Sequence, residues 1–189
     1  MKNILIAALS LSLIVACTKK NNKAKGDEIV LEDSTSVVQD NETLAEGTPV
    51  PIKEWSKEAV QELVKAKSND TLYVTNFFAT WCGPCVRELP HFREKMEQMK
   101  GQPVKFTFIS LDQKEDWETM VPQFAQQHGI ANNVVLLNGE ALDLDFFRNS
   151  FKTWTGGSIP FTIFTKNGKT DEYSGMMSPE ILEQKLNQF

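Results

Sequence analysis

Hydrophobic and polar positions follow two different spacings from about residue 50 to the end of the chain. Runs rich in aromatic and β-branched residues are typical of strands, and they occur at residues 50–53, 71–78, 104–111, 134–137, 161–164 and 170–174. Apolar residues at three- and four-residue steps are typical of amphipathic helices, and such stripes begin near Ser56, Cys82, Trp117, Leu142 and Ser178. Strands that alternate with helices predict βαβ units and a parallel sheet with right-handed crossovers.

Two prolines and one Asn-Gly pair add detail to the predicted helices and to the last two strands. Pro90 lies inside the second helical stripe, where it removes a hydrogen bond and kinks the axis. Pro122 predicts that the third helix is bent or begins later than Trp117. The dipeptide Asn167-Gly168 is a strong hairpin signal, so we expect the last two strands to be antiparallel. Trp117 and Trp154 are interpreted as packing residues rather than substrate contacts.

The first 17 residues have the pattern of a bacterial export signal. Lys2 supplies a positive charge, residues 4–15 form a short apolar run, and the small residue Ala16 precedes Cys17. The run is too short to span a bilayer stably. The sequence Ile-Val-Ala-Cys at its end resembles a bacterial lipobox, which implies cleavage before Cys17 and lipidation of that cysteine. An ordinary secretory signal with an incidental cysteine is the alternative.

Composition divides the chain into three parts. We predict a signal peptide at 1–16, a lipidated cysteine with a flexible tether at 17–48, and a globular domain at 49–189. The tether is rich in Lys, Asn, Asp, Glu and Ser and has few aromatic residues. A flexible coil of this length has a root-mean-square span of about 30 Å. Such a tether holds a small domain clear of a membrane while keeping it near the surface.

Charge and overall composition exclude one class of partner. The formal net charge is −5, and no basic cluster with interleaved aromatic residues is present in the sequence. A nucleic-acid-binding surface would require such a cluster, so we expect no nucleic-acid partner. Hydrophobic residues make up 41% of the chain, which is ordinary for a soluble globular domain.

Two cysteines, Cys82 and Cys85, stand where the strand at 71–78 gives way to a helix. Residues three apart on a helix face each other across one turn, close to disulfide range. Unpaired N–H groups and the helix dipole favour a thiolate at the first turn, and a Cys-x-x-Cys motif lowers a cysteine pKa. A thiol whose pKa lies near the ambient pH is close to the best attacker of a disulfide. We therefore predict that Cys82 is the nucleophile and that Cys85 resolves the mixed disulfide.

A structural disulfide and half a zinc site are the alternative interpretations of this pair. A structural zinc site needs four ligands, yet the sequence has no second cysteine pair, and its only histidines are His91 and His128. A structural bridge across so small a loop would stabilise the fold little through chain entropy. We accordingly expect no metal, and dithiol exchange requires no cofactor.

The pentapeptide Trp81-Cys82-Gly83-Pro84-Cys85 on a strand-to-helix junction resembles the active site of the thioredoxin superfamily. Its continuation, Val-Arg-Glu-Leu-Pro at 86–90, is similar to the TlpA/ResA-like branch, which comprises bacterial thiol–disulfide oxidoreductases anchored outside the cytoplasmic membrane. The resemblance covers residues 49–189. It implies a thioredoxin-like α/β fold, in which helices flank a central mixed β-sheet and an added helix and strand precede a cis-proline.

The same resemblance implies roles for residues around the two sulfurs. Trp81 would shield the pair and, with Gly83 and Pro84, shape the exposed patch. Pro160 matches the cis-proline of the family, next to which Ile159 would bind the partner backbone as an added strand. The residue Gly175 matches a glycine that lines the substrate groove; a plain strand-to-helix turn is its alternative.

Asn76 and Glu88 are two polar residues near the motif, and only one of them can carry a proton. Asn76 stands where thioredoxins have a buried aspartate, and because an amide cannot titrate, proton transfer must use water or another acid. Glu88 matches the acidic position of the branch and is a candidate proton relay. The alternative, which we favour from sequence, is that Glu88 is a solvated helix residue paired with Arg87 or His91. We interpret His91 as a surface residue.

The sequence therefore predicts an enzyme that exchanges thiols and disulfides with partner proteins, most simply a protein-disulfide reductase, because the Gly-Pro between its cysteines resembles reducing thioredoxins. A disulfide oxidase or isomerase on the same scaffold stays open, as does a non-catalytic envelope lipoprotein that uses the fold as a binding module. A reductase in the cell envelope, anchored to a membrane and facing the periplasm, needs an electron donor. The family implies a membrane thiol transporter.

Overall fold

The computed structural model describes residues 51–189, in which five helices and five strands alternate up to the last two strands, which are consecutive. The helices are α1 (Lys57–Val64), α2 (Gly83–Gln98), α3 (Met120–Gln127), α4 (Leu144–Ser150) and α5 (Pro179–Leu186). The strands are β1 (Leu72–Phe78), β2 (Val104–Ser110), β3 (Val134–Leu136), β4 (Phe161–Lys166) and β5 (Lys169–Ser174). The strand and helix at 134–150 are the added elements that the sequence predicts before Pro160.

The strands form one mixed sheet in the order β3-β2-β1-β4-β5. Strand β1 pairs in parallel with β2, and β2 pairs in parallel with β3. Strand β4 runs antiparallel to both β1 and β5, and the last two strands form the hairpin predicted at Asn167-Gly168. The thioredoxin-like α/β architecture expected from the sequence is therefore confirmed.

The sheet separates two hydrophobic clusters. On one face the α2 residues Leu89 and Phe92 pack with Leu182 of α5 and with Val121 of α3. On the other face α1 and α4 pack over an aromatic group that includes Phe77, Phe146, Phe151, Trp154 and Phe161. Trp117 and Trp154 are both buried, in different clusters. Strand β1 lies in the middle of the sheet, so its carboxyl end places the cysteine motif directly above the core.

The structure corrects two predicted boundaries and confirms the later start of the third helix. The predicted strand at 50–53 is reduced, within the described residues, to a single bridge between Glu54 and Leu136, because Pro51 has no N–H to donate and β3 offers only three residues. Helix α3 begins at Met120 rather than Trp117, after a short 3-10 turn, as Pro122 allowed. Helix α4 begins after Asp143, whose carboxylate caps it by accepting from the Phe146 backbone N–H (2.7 Å).

The predicted signal peptide at 1–16 and the tether at 17–48, with the lipidated Cys17, lie outside the described residues and stay predictions. Between residues 51 and 189, no helix is both long enough and apolar enough to cross a bilayer.

Candidate active site

The two cysteines lie at the start of α2 and form a disulfide with an S–S distance of 2.02 Å. Cys82 is the N-cap residue, and its Sγ lies 3.3 Å from the backbone nitrogen of Cys85. The two sulfurs are not equivalent, because Cys82 keeps 5% of its surface exposed whereas Cys85 is fully buried. A partner can therefore approach Cys82 and reach Cys85 only through it.

The backbone around Cys82 favours negative charge on its sulfur. Helix α2 has 16 residues with Gly83 and Pro84 in its first turn, so its unpaired N–H groups and its dipole point toward the cap position. The Cys85 N–H that faces the Cys82 sulfur would donate a charge-assisted hydrogen bond to a thiolate there. These features lower a cysteine pKa in general.

A buried carboxylate fixes the turn that leads to the cysteines. Asp112 accepts from the backbone N–H of Thr80 (3.0 Å) and from its hydroxyl (2.6 Å), and also from the hydroxyl of Ser110 (2.7 Å). Thr80 stands two residues before Cys82, and the Cys82 N–H in turn donates to the carbonyl of Ala79 (3.1 Å). Asp112 therefore anchors the end of β1 to the end of β2, directly before the N-cap.

Residues from the distant end of the chain face Cys82. The Ile159–Pro160 peptide bond is cis, and the Ile159 carbonyl oxygen lies 3.7 Å from the Cys82 sulfur. Gly175, at φ +97°, donates its N–H to the Pro160 carbonyl (2.8 Å). The structure thus brings together the cysteine pair, the Ile159–Pro160 segment and Gly175, as the family resemblance implied.

Exposed apolar side chains border this region. Trp81 exposes 69% of its surface, and Met176, which follows Gly175, exposes 42%. Met177, by contrast, is fully buried in the core. Of this methionine pair, only Met176 is placed to contact a partner at the surface.

The favoured interpretation of Glu88 as a solvated residue is wrong, because the side chain is fully buried. Its two oxygens accept from the side-chain amide of Asn76 (2.8 Å) and from the backbone N–H of Met177 (2.8 Å). The Asn76 amide also donates to the hydroxyl of Thr162 (3.0 Å). Glu88 stands one helical turn after Cys85, so it belongs to the interior side of the site.

Burial sets the protonation behaviour of Glu88. Removal from water raises the pKa of this carboxyl to about 7, although the hydrogen bonds from Met177 and Asn76 act in the opposite direction. Asn76 keeps its Oδ1 buried without a hydrogen-bond partner. A titratable group whose pKa lies near neutrality therefore lies one helical turn after the inner cysteine, next to an amide that cannot titrate.

Sequence reasoning missed the anchoring pair Asp112 and Thr80. A usable signal was present, because each residue lies two positions after the end of a buried strand and the two strands are parallel neighbours. His91, interpreted as a surface residue, is half-buried on α2. Within the part of the chain that the structure describes, no three His, Cys, Asp or Glu side chains are arranged to hold a metal ion.

Comparison with known proteins agrees with this geometry. The family model described as Thioredoxin matches residues 51–130. The thiol-disulfide oxidoreductase ResA of Oceanobacillus iheyensis is 30% identical over 166 residues, which cover 84% of this chain and 80% of that protein. ResA of Geobacillus kaustophilus is 26% identical over 113 residues, and there the match spans only 59% of the relative's length.

A solved structure shows the same fold. The thiol:disulfide interchange protein of the thioredoxin family from Chlorobium tepidum TLS aligns with 76% of this chain and 98% of its own, with a TM-score of 0.53 and 19% sequence identity. With the Oceanobacillus relative covered over four fifths of its length and the cysteine pair in place at Cys82 and Cys85, the chain belongs to the thioredoxin superfamily, among the ResA/TlpA-like thiol–disulfide oxidoreductases.

Proposed function

We propose that this oxidoreductase reduces disulfides in partner proteins, with Cys82 as the attacking thiolate and Cys85 as the resolving thiol. The observation that carries the proposal is the unequal placement of the two sulfurs. The Cys82 sulfur lies at a helix N-terminus beside the Ile159 carbonyl, in a residue that keeps 5% of its surface exposed, whereas Cys85 is fully buried. The Gly83-Pro84 pair between the cysteines, as in reducing thioredoxins, supports the reductive direction.

The reaction proceeds in two exchanges. The Cys82 thiolate attacks one sulfur of the partner disulfide, so that a mixed disulfide forms and the other partner sulfur leaves as a thiolate that takes up a proton. Cys85 then loses its proton and attacks the Cys82 sulfur, which forms the Cys82–Cys85 disulfide and releases the second partner sulfur. The partner gains two electrons and two protons, and the enzyme ends oxidised.

Glu88 serves as the proton carrier for the second exchange. The Cys85 thiol must lose its proton inside the core, where water is scarce and a charged group is costly. A carboxyl one helical turn away, with a pKa near 7, can accept that proton and later return it. Asn76 and the Met177 backbone orient the carboxylate through its two hydrogen bonds.

The partner chain binds beside the disulfide as an extended strand. The backbone of Ile159 next to Pro160, with Gly175 alongside, supplies the docking edge. The exposed ring of Trp81 covers the other side of the cysteine pair and excludes competing groups.

The enzyme acts outside the cytoplasm while anchored to a membrane. The export signal, the lipobox-like sequence and Cys17 support this location, in the cell envelope and facing the periplasm. A membrane thiol transporter re-reduces the Cys82–Cys85 disulfide after each turnover.

An insulin-reduction assay with dithiothreitol tests the proposal. We expect the protein to accelerate insulin precipitation and Cys82→Ser to abolish the acceleration. No acceleration by the wild-type protein would favour a non-catalytic binding module. A reduction potential as oxidising as that of disulfide-forming enzymes, about −120 mV, would favour an oxidase.

A further inference from the structure

The segment that carries Ile159 is an exposed loop. Residues 155–158 have no regular secondary structure and are exposed, and Ile159 is half-buried. Two of these four exposed residues are glycines, Gly156 and Gly157, which leave the backbone many accessible conformations. The proposed recognition residue therefore depends on something else to fix its position.

A buried tryptophan holds the loop from below. The indole N–H of Trp154 donates to the carbonyl of Ser158 (2.8 Å), one residue before Ile159. The Trp154 ring also stacks on the ring of Phe161, with centroids 4.5 Å apart and planes within 6° of parallel. The chain thus leaves the core at Trp154 and returns to it at Phe161. The stacked rings of these two residues hold the two ends of the loop together.

The added helix α4 supports the same loop through Phe147. A Cβ built on Gly156 would lie 2.4 Å from the Phe147 ring, so the loop backbone rests directly on that ring. Gly156 also has φ +83°, a conformation that other residues rarely adopt. The Phe147 ring packs edge-on against Trp154, with centroids 5.3 Å apart.

We propose that Trp154 and Phe147 are positioning residues that fix the 155–159 loop, and thereby hold the Ile159 backbone beside the Cys82 sulfur for a partner protein. Through Phe147, helix α4 then acts on partner recognition. This inference rests on the proposed function, because it assumes that Ile159 binds the partner. Both side chains pack in the cluster on the opposite face of the sheet from the two cysteines, so their removal should affect protein substrates and spare small reagents.

Trp154→Phe removes the indole donor and keeps an aromatic ring at this position, although the smaller ring leaves part of the buried space unfilled. We expect hydrogen exchange of the loop amides to rise about fivefold, the factor expected for one hydrogen bond of ordinary strength. The catalytic efficiency toward insulin should fall by about the same factor. The rate at which iodoacetamide alkylates Cys82 in the reduced protein should stay within about twofold of the wild-type rate, since that small reagent does not need the loop.

The matched control is Phe164→Leu. Phe164 is a fully buried ring on the same strand as Phe161, but it belongs to the cluster on the opposite face of the sheet. This variant should lower the melting temperature without changing the ratio of insulin reduction to alkylation. An equal change of that ratio in both variants, or no change of loop exchange in Trp154→Phe, would overturn the inference.

A second pair of variants tests the contact with α4. Gly156→Ala should displace the loop, both through the Phe147 ring and through its φ of +83°, and Phe147→Leu alone should loosen it; each should lower the ratio of insulin reduction to alkylation. A ratio in Phe147→Leu equal to that of wild type would refute the role of Phe147. If wild-type protein fails to reduce insulin, the proposed function is wrong, and the loop hydrogen exchange still decides whether Trp154 fixes the loop.

Discussion

The Glu88 carboxylate lies 2.8 Å from the Asn76 amide nitrogen in the interior of the domain. The acid comes from α2 and the amide from the central strand β1, so the contact joins the helix that carries the cysteines to the sheet. A second bond, from the Met177 backbone, ties the same carboxylate to the segment that precedes α5. An ionisable group is thereby held in a fixed position one helical turn after Cys85.

This buried acid should make the stability of the oxidised protein depend on pH. Burial raises the pKa of Glu88 in the folded protein from 4.5 to about 7, so the folded state binds this proton more tightly than the unfolded state. The contribution is therefore fully present below about pH 4.5 and is lost as the pH rises through about 7. The difference corresponds to about 3 kcal/mol in the free energy of unfolding.

Glu88→Gln supplies the reference for that measurement, because glutamine has a similar shape and does not titrate. Urea unfolding of both proteins should give similar free energies near pH 4.5, and wild type should become less stable than the variant by up to about 3 kcal/mol above pH 7. Exposed carboxyls with lowered pKa values act in the opposite direction and cancel in the difference; they are Glu58, Glu62, Asp143 and Glu180. A difference that does not vary with pH would show that Glu88 titrates normally.

Cys85→Ser should arrest the reaction after its first exchange. The Cys82 thiolate still attacks, but no thiol remains behind it to release the partner. We expect a mixed disulfide with insulin on a non-reducing gel, and mass spectrometry should locate the link at Cys82. Cys82→Ser is the control and should trap little or nothing. Equal trapping by the two variants would mean that the roles of the cysteines are not distinct.

Thr80→Val should loosen the turn before Cys82. The change removes the hydroxyl that donates to Asp112 (2.6 Å), and loss of a hydrogen bond to a charged group costs about 1.5–3 kcal/mol. We expect lower stability, together with slower alkylation of Cys82 at neutral pH because the sulfur is less well held at the N-cap.

The control for this variant is Ser110→Ala, which removes another donor from the same carboxylate without touching the cysteine turn. It should lower the stability by a similar amount and leave alkylation unchanged. Thr80→Ser, which keeps the hydroxyl, should restore both properties. Equal changes of the alkylation rate in Thr80→Val and Ser110→Ala would refute the role of the turn.

Cys17→Ser should release the protein from membranes. Without the thiol no lipid can be attached, so the processed chain should move from the membrane pellet to the soluble fraction after ultracentrifugation of cells that express it. Metabolic labelling with a fatty acid should mark the wild-type protein and not the variant. Label that persists in Cys17→Ser would contradict lipidation at this residue.

Local sequence patterns were sufficient to predict the strand and the helix that carry the cysteines. Aromatic and β-branched residues at 71–78 and the stripe through Cys85, Leu89 and Phe92 predicted the strand-to-helix junction, and the structure places Cys82 at its N-cap. The burial of these elements follows from the same patterns, because short-range periodicity decides which face of each element is buried.

The environment of Glu88 could not be predicted in the same way. Its partners, Asn76 and the Met177 backbone, are 12 and 89 residues away in sequence, and only the tertiary fold brings them together. One local signal was overlooked, because Glu88 stands three residues after Cys85 and four before Phe92, on the buried stripe of α2. A carboxyl on such a stripe is rarely exposed, whatever its charge suggests.

The pH dependence of alkylation tests the central claim most directly. Reduced protein is treated with iodoacetamide across a range of pH, and the modification of Cys82 and Cys85 is measured separately by mass spectrometry. We expect Cys82 to react first, with a midpoint below the ordinary thiol value, while Cys85 stays protected. A midpoint for Cys82 at the ordinary thiol value of about 8.5, or equal rates at the two cysteines, would contradict it.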